Sequence, residues 1–242
     1  YKTANLDDAA DAYGMVIAVP DAANKAGFQC WDFWGTRESR TSGDYKNILT
    51  LVSTLKDRSS LNIDPDQVYI SGISSGGVFA FNMGCLAPEI FAGIGVDAGP
   101  SAGASSNGAF SMEGSPSRTA SNCTNFAGSN KSHLNTQLFS AAYGSNDNTV
   151  PQGYGLQNAK GMAIVYGNLA QLSGTTTVQG ISGAKLTTWE DNRVTLLVLN
   201  GVGHAWPGGS GASGSFIDGT SANYALYLGK FFSENNLRVE PG

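Results

Sequence analysis

The sequence predicts an α/β fold, a mostly parallel sheet with helices on both faces. Three observations point there. Short apolar runs alternate with stretches of helical period along the chain, the signature of parallel strands joined by right-handed crossovers. The run Met15-Val16-Ile17-Ala18-Val19-Pro20 is continuously apolar, as strands covered on both faces are. Finally, Gly72-Ile73-Ser74-Ser75-Gly76 sets a serine between a β-rich run and an apolar helix. At 242 residues, a single domain spanning 1–242 is expected.

In chain order, Asn5 to Tyr13 reads as a helix with Asp7, Asp8 and Asp11 on its exposed face, stopped by Gly14. Met15 to Pro20 follows as a buried parallel strand. Asp21 to Arg40 is a loop carrying Cys30-Trp31-Asp32-Phe33-Trp34. Its aromatics form either a cluster beneath the loop or a wall that faces a substrate. Asp44 to Lys56 is amphipathic, with Ile48, Leu51, Val52 and Leu55 on one face. Asp64-Pro65-Asp66 marks a turn, Val68-Tyr69-Ile70 a strand, and Val78, Phe79, Phe81 and Met83 an apolar helix. Ile94 to Gly99 is the next strand.

Residues Pro100 to Ser132, rich in Gly, Ser, Ala and Asn, break the alternation. So long an insertion is usually a functional loop or a disordered segment. Cys123 could pin it, so an ordered lid or rim over 100–132 is expected. Gln137 to Gly144 returns to strand, and Ser145 to Pro151 is a polar turn at its C-terminal end. Gln157 to Leu172 reads as a helix. Leu186 to Glu190 and Val194 to Leu199 read as strands joined at Asp191-Asn192-Arg193. Gly201 to Gly209 is a loop. Ser221 caps a last helix, Ala222 to Glu234.

The pattern G-x-S-x-G is weak alone in a chain with 32 glycines. It gains weight from its setting, because strand, sharp turn and helix fall in the order of a nucleophile elbow. The other reading of Ser74 is a serine in a Gly-rich turn. In open α/β sheets catalytic groups gather at the C-terminal ends of the strands. Ser74, Asp147 and His204 each follow an expected strand there, in the order Ser, Asp, His that α/β-hydrolases use. Each residue type meets a need. Serine requires a base to take its proton, neutral imidazole is a suitable base near pH 7, and a carboxylate fixes its tautomer. Asp97, Asp191 and Glu190 are rival acids, and Asp147 also suits an Asx-turn. His133 precedes its strand and belongs at the opposite edge. The N–H of Ser75, the residue after the nucleophile, is the candidate oxyanion donor. Trp206, two residues beyond His204, is expected on a wall touching substrate, with Trp31 and Trp34 as further members.

Composition excludes several classes. Charged residues are 14% and the net charge is −5, which argues against nucleic acid and anionic membrane surfaces. No run of 18 apolar residues exists to span a membrane. The low-charge, Gly-rich composition suggests a secreted protein. The chain opens on Tyr1-Lys2-Thr3 with no signal peptide, so a processed or truncated start is expected. Cys30, Cys85 and Cys123 contain no C-x-x-C pair, and His133 and His204 are the two histidines. No metal or cofactor is therefore expected. One disulfide with one thiol left over suits an oxidising compartment, and three buried free thiols is the alternative.

Five segments together resemble the extracellular polyhydroxybutyrate depolymerase family of esterases, to which feruloyl esterases and a poly(aspartic acid) hydrolase group are similar. They are Cys30-Trp31-Asp32-Phe33-Trp34, Gly72-Ile73-Ser74-Ser75-Gly76-Gly77, Leu86-Ala87-Pro88-Glu89-Ile90-Phe91-Ala92-Gly93, Tyr143-Gly144-Ser145-Asn146-Asp147 and Gly203-His204-Ala205-Trp206-Pro207-Gly208-Gly209. The resemblance runs from Asp8 to Phe232. It implies an α/β-hydrolase fold, a triad on Ser74, Asp147 and His204, a polymeric or small ester as substrate, and secretion. It also implies a preceding strand ending in His-Gly-Cys that helps form the oxyanion hole. The sequence has no counterpart, so the fold is expected to lack its N-terminal strand or strands, and Cys30 is expected to be the unpaired cysteine. Cys85 and Cys123 are then expected to pair, tying the elbow helix to the insertion. Two other readings share these residues. An amide hydrolase acting on poly(aspartic acid) would need a basic cleft, against which the net charge counts. A non-catalytic binding protein on a hydrolase scaffold would not need all three triad residues.

Overall fold

A computed structural model describes residues 2–23, 26–34 and 39–239. Helix α1, Leu6–Tyr13, ends where Gly14 turns to φ 63° and its N–H reaches back to the Ala10 carbonyl, the left-handed cap that glycine tolerates best. The next stretch corrects the sequence reading. Met15 to Pro20 forms no strand, and Val16, Ile17 and Val19 are 39–62% exposed. Hydrophobicity alone does not make a strand; a ladder partner is needed, and among the described residues this run has none. Helix α2, Gly43–Lys56, buries Tyr45 and Ile48 as its periodicity requires.

Strand β1, Tyr69–Ile73, leads into α3, Ser75–Leu86, and then β2, Gly93–Asp97. Every residue of α3 from Gly77 to Leu86 is buried, so the helix is nearly all apolar, and its one buried amide, Asn82, donates to the Phe33 carbonyl and the Tyr45 hydroxyl. The 100–132 insertion is ordered. It holds a 3-10 turn at Ser106–Ala109 and helix α4, Pro116–Ala127. Ser115 caps α4 by accepting the Arg118 N–H at 3.2 Å, with Pro116 at the first helical position. Cys123 of α4 is disulfide-bonded to Cys85 of α3, with Cα atoms 5.0 Å apart, and Cys30 is free.

Strand β3, Leu138–Gly144, precedes α5, Gly153–Val165. This helix starts and ends earlier than its apolar pattern suggests. Gly167 (φ 112°) and Asn168 (φ 61°) turn the backbone left-handed well short of Leu172. Strands β4 (Thr176–Val178), β5 (Ile181–Thr188) and β6 (Val194–Leu199) follow. Two short strands, β7 (Trp206–Pro207) and β8 (Ile217–Asp218), pair within what reads as loop. Helix α6, Tyr224–Asn235, is capped by Asn223, whose side chain accepts the Leu226 N–H at 3.0 Å. Ser221, the expected cap, is instead held by an Asx-turn on Asp218.

The sheet order is β1-β2-β3-β6-β5-β4. The first four strands are parallel and the last two antiparallel. Register places Ile73 beside Asp97 and Asp97 beside Ala142, so the parallel strands end on one common edge. Side chains alternate across β2. Gly93 and Gly95 lie under Phe232 and Leu228 of α6, where a Cβ would come within 2.5–2.7 Å, while Ile94 meets Gly84 of α3. Glycines thus let α6 lie directly on the sheet. Among the described residues no helix is long and apolar enough to cross a membrane.

Candidate active site

Ser74 stands between β1 and α3 at φ 57° and ψ −122°, a strained conformation for a residue with a side chain. Two bonds hold it there. Its N–H donates to the Asp97 carbonyl at 2.9 Å, and its carbonyl accepts from Val78 at 3.1 Å. Strand and helix come so close that a Cβ on Gly72 would sit 2.4 Å from the Gly76 carbonyl oxygen. A Cβ on Gly77 would meet the Asp97 and Gly72 carbonyl oxygens at 3.0 Å. Gly76 differs, since its Cβ would make only ordinary contact with Trp31 at 3.5 Å. Crowding therefore requires Gly72 and presses on Gly77, rather than on each glycine of the motif.

Asp147 and His204 meet at the same edge. Asp147 Oδ2 lies 2.8 Å from His204 Nδ1. Asp147 Oδ1 accepts the N–H groups of Thr149 at 2.8 Å and Val150 at 3.0 Å. One carboxylate thus serves as both the Asx-turn residue and the partner of the imidazole. Burial alone would raise the Asp147 carboxyl, but hydrogen bonds from His204, Thr149 and Val150 outweigh it and hold the group below the ordinary carboxylate range. The ionised form is therefore the one that faces His204. The loop reaches Asp147 because Gly144 has no side chain: a Cβ there would sit 2.2 Å from the Val202 carbonyl oxygen and 2.7 Å from that of Gly203. The Asn146 N–H to Val202 carbonyl bond at 2.8 Å fixes the crossing. Among the described residues no hydrogen bond joins Ser74 Oγ to His204; such bonds are often long before substrate binds.

The rival acids fall elsewhere. Asp191 and Glu190 are exposed in the turn that precedes β6, at the far end of the strands. His133 is exposed ahead of β3. Asp97 ends β2 and is fully buried, and among the described residues neither of its carboxylate oxygens has a hydrogen-bond partner. Burial, and behind it the Asp147 charge, pushes it well above the ordinary carboxylate range. It is the neutral member of the pair and Asp147 the ionised one.

Ser75 opens α3, where helical N–H groups lack intrahelical acceptors. Its Oγ accepts the Trp31 N–H at 3.2 Å. Trp31 packs on Phe79 with ring centroids 4.7 Å apart, so it lies beside the elbow. Trp34 is 39% exposed and stands edge-on to Phe33. Trp206 lies at the edge of the core. It is only 9% exposed, joins the core beneath α6 and packs on Tyr224 at 5.3 Å. Pairing of β7 with β8 fixes the Trp206 backbone beside Ile217. The aromatic that stands by the imidazole is Phe216, with ring centroids 6.3 Å apart. No local pattern ties Phe216 to His204; the link is made by strand pairing alone. Among the described residues no group of three His, Cys, Asp or Glu side chains could hold a metal ion.

A parallel sheet with a strained serine at the strand-to-helix elbow places the molecule in the α/β-hydrolase class. An acetyl xylan esterase from Aspergillus awamori shares the fold, with a TM-score of 0.58 at 23% identity over 72% of this chain and 68% of that one. The sequence profile of the esterase PHB depolymerase family matches residues 2–126, and the chain belongs to that family. A poly(3-hydroxybutyrate) depolymerase of Ralstonia pickettii is 38% identical over 250 residues, covering 98% of this chain and 50% of that protein. The chain thus spans about half the length of this curated relative.

Proposed function

We propose that the chain is a secreted serine esterase that cleaves a polyester such as polyhydroxybutyrate, or short esters, through an acyl-enzyme. The observation that carries this is the Asp147–His204 hydrogen bond at the sheet edge where Ser74 is held strained. In this reading Ser74 Oγ attacks the ester carbonyl while His204 Nε2 takes its proton. Asp147 holds the imidazole in the tautomer that leaves Nε2 free. The tetrahedral oxyanion is met by the Ser75 N–H. Collapse expels the alkoxide, which takes the proton from His204, and water then releases the acid by the same steps in reverse order. Family membership and the name of the Ralstonia relative support a hydroxyalkanoate polyester. The Cys85–Cys123 disulfide supports an oxidising, extracellular setting.

The test is acid release from a 3-hydroxybutyrate trimer, a polyhydroxybutyrate suspension and short alkyl esters. Hydrolysis of at least one class that is lost in Ser74→Ala supports the reading. Tight binding of the trimer without release from any ester would favour a non-catalytic binding protein instead.

A further inference from the structure

Phe216 combines three observations that the proposed chemistry does not use. Its side chain is 70% exposed, so the ring is open to a bound substrate. Its backbone sits at φ 58°, a genuine outlier for a bulky residue. Its ring stands edge-on to the His204 imidazole, with centroids 6.3 Å apart and planes at 82°, within the range of aromatic pairs. Strain of this kind persists only where the surroundings impose it. Here the Phe216 carbonyl accepts the Trp206 N–H at 2.8 Å, and the β7–β8 ladder starts at the next residue, pairing Trp206 with Ile217. Gly214, at φ 134°, makes the tight turn before it, and the Ile217 N–H closes that turn on the Gly214 carbonyl at 3.3 Å. The buried Trp206 is thus the anchor, and Phe216 is the ring it holds out beside the histidine.

We infer that Phe216 is a specificity-determining residue that contacts the alcohol portion of the ester. This rests on the proposed esterase reading of Ser74, Asp147 and His204. The direction follows from chemistry. To protonate the leaving alkoxide, His204 Nε2 must come within hydrogen-bond reach of its oxygen. A side chain beside the imidazole is thus placed to meet the leaving-group portion of the ester. An exposed apolar ring there gains from covering an apolar alcohol and gains nothing from a methyl ester. The substrates it favours have a carbon chain or ring beyond the ester oxygen, as every internal bond of a polyester has.

The experiment compares kcat/KM for benzyl and methyl 3-hydroxybutanoate, and separately for ethyl hexanoate and ethyl acetate. Wild type, Phe216→Ala, Phe216→Leu and Phe216→Gly are assayed, with Ser74→Ala as control. The benzyl-to-methyl ratio is expected to fall roughly tenfold in Phe216→Ala and to be largely kept in Phe216→Leu. The hexanoate-to-acetate ratio should not move. Phe216→Gly relieves the positive φ, so its melting temperature should match or exceed wild type while its benzyl-to-methyl ratio falls as in Phe216→Ala. An unchanged benzyl-to-methyl ratio in Phe216→Ala, or a shift confined to the acyl pair, overturns the inference while leaving the triad reading intact. Activity surviving in Ser74→Ala removes that reading and this inference with it.

Discussion

Gly144 and Val202 approach so closely that a Cβ on Gly144 would lie 2.2 Å from the Val202 carbonyl oxygen. This contact lets the chain after β6 cross the end of β3 and bring His204 to Asp147. Gly144→Ala is expected to push that crossing aside. Displacing a catalytic group by about 1 Å costs on the order of 10²-fold in rate, so kcat should fall by about that much, with a lower melting temperature. Gly203→Ala is the stability control, since nothing lies within 4 Å of a Cβ there. Equal melting temperatures and equal kcat for wild type and Gly144→Ala would refute the contact.

Asp147→Asn should lower kcat by about 10⁴, because an amide favours the wrong histidine tautomer, while circular dichroism stays that of wild type. Asp191→Asn should change little, since Asp191 is exposed at the other end of the strands. A larger loss in Asp191→Asn would reassign the acid.

Asp97 makes stability depend on pH. Its folded carboxyl is raised above the ordinary value by burial, then by Asp147. Above about pH 4 the unfolded chain loses this proton and the folded chain keeps it. Folding then takes up a proton, so stability is highest below the unfolded value and declines as pH rises toward the folded value, by up to about 1.4 kcal/mol per pH unit. Asp97→Asn removes this term. Its melting temperature relative to wild type should climb between pH 4 and pH 7. A difference that stays flat across that range would show that Asp97 is not held neutral.

The Cys85–Cys123 bridge closes a span of 38 residues. Replacing both cysteines with serine should cost roughly 3–4 kcal/mol in denaturant unfolding. Thiol titration of the wild-type chain should find one reactive group, Cys30. A peptide map that shows Cys30 bridged to either partner would contradict this.

The parallel core and the Ser74, Asp147 and His204 positions were legible because their signals are local. Apolar runs gave β2, β3 and β6, and the elbow needed only a serine in a glycine-flanked turn between strand and helix. The misreadings share a cause: they depend on contacts made across the chain. Met15 to Val19 has strand composition but, among the described residues, no neighbour to pair with. The Trp206 backbone is fixed by pairing with Ile217 of β8, eleven residues further on, which its spacing from His204 does not reveal. Phe216 and Gly144 matter only through partners in other segments, which no spacing rule reveals. Asn223 and Ser221 are equally good caps by composition, and Asp218 decides between them by holding the Ser221 N–H.

The central claim is that Ser74 Oγ is a nucleophile made reactive by His204. Intact-mass spectrometry after treatment with an alkyl fluorophosphonate tests it directly, because only an activated serine reacts quickly and the adduct stays covalent. A single adduct is predicted on wild type, mapped to Ser74, absent from Ser74→Ala and formed at least 100-fold more slowly in His204→Ala. No adduct on the folded wild-type chain, or an adduct that maps to another serine and survives Ser74→Ala, would contradict it.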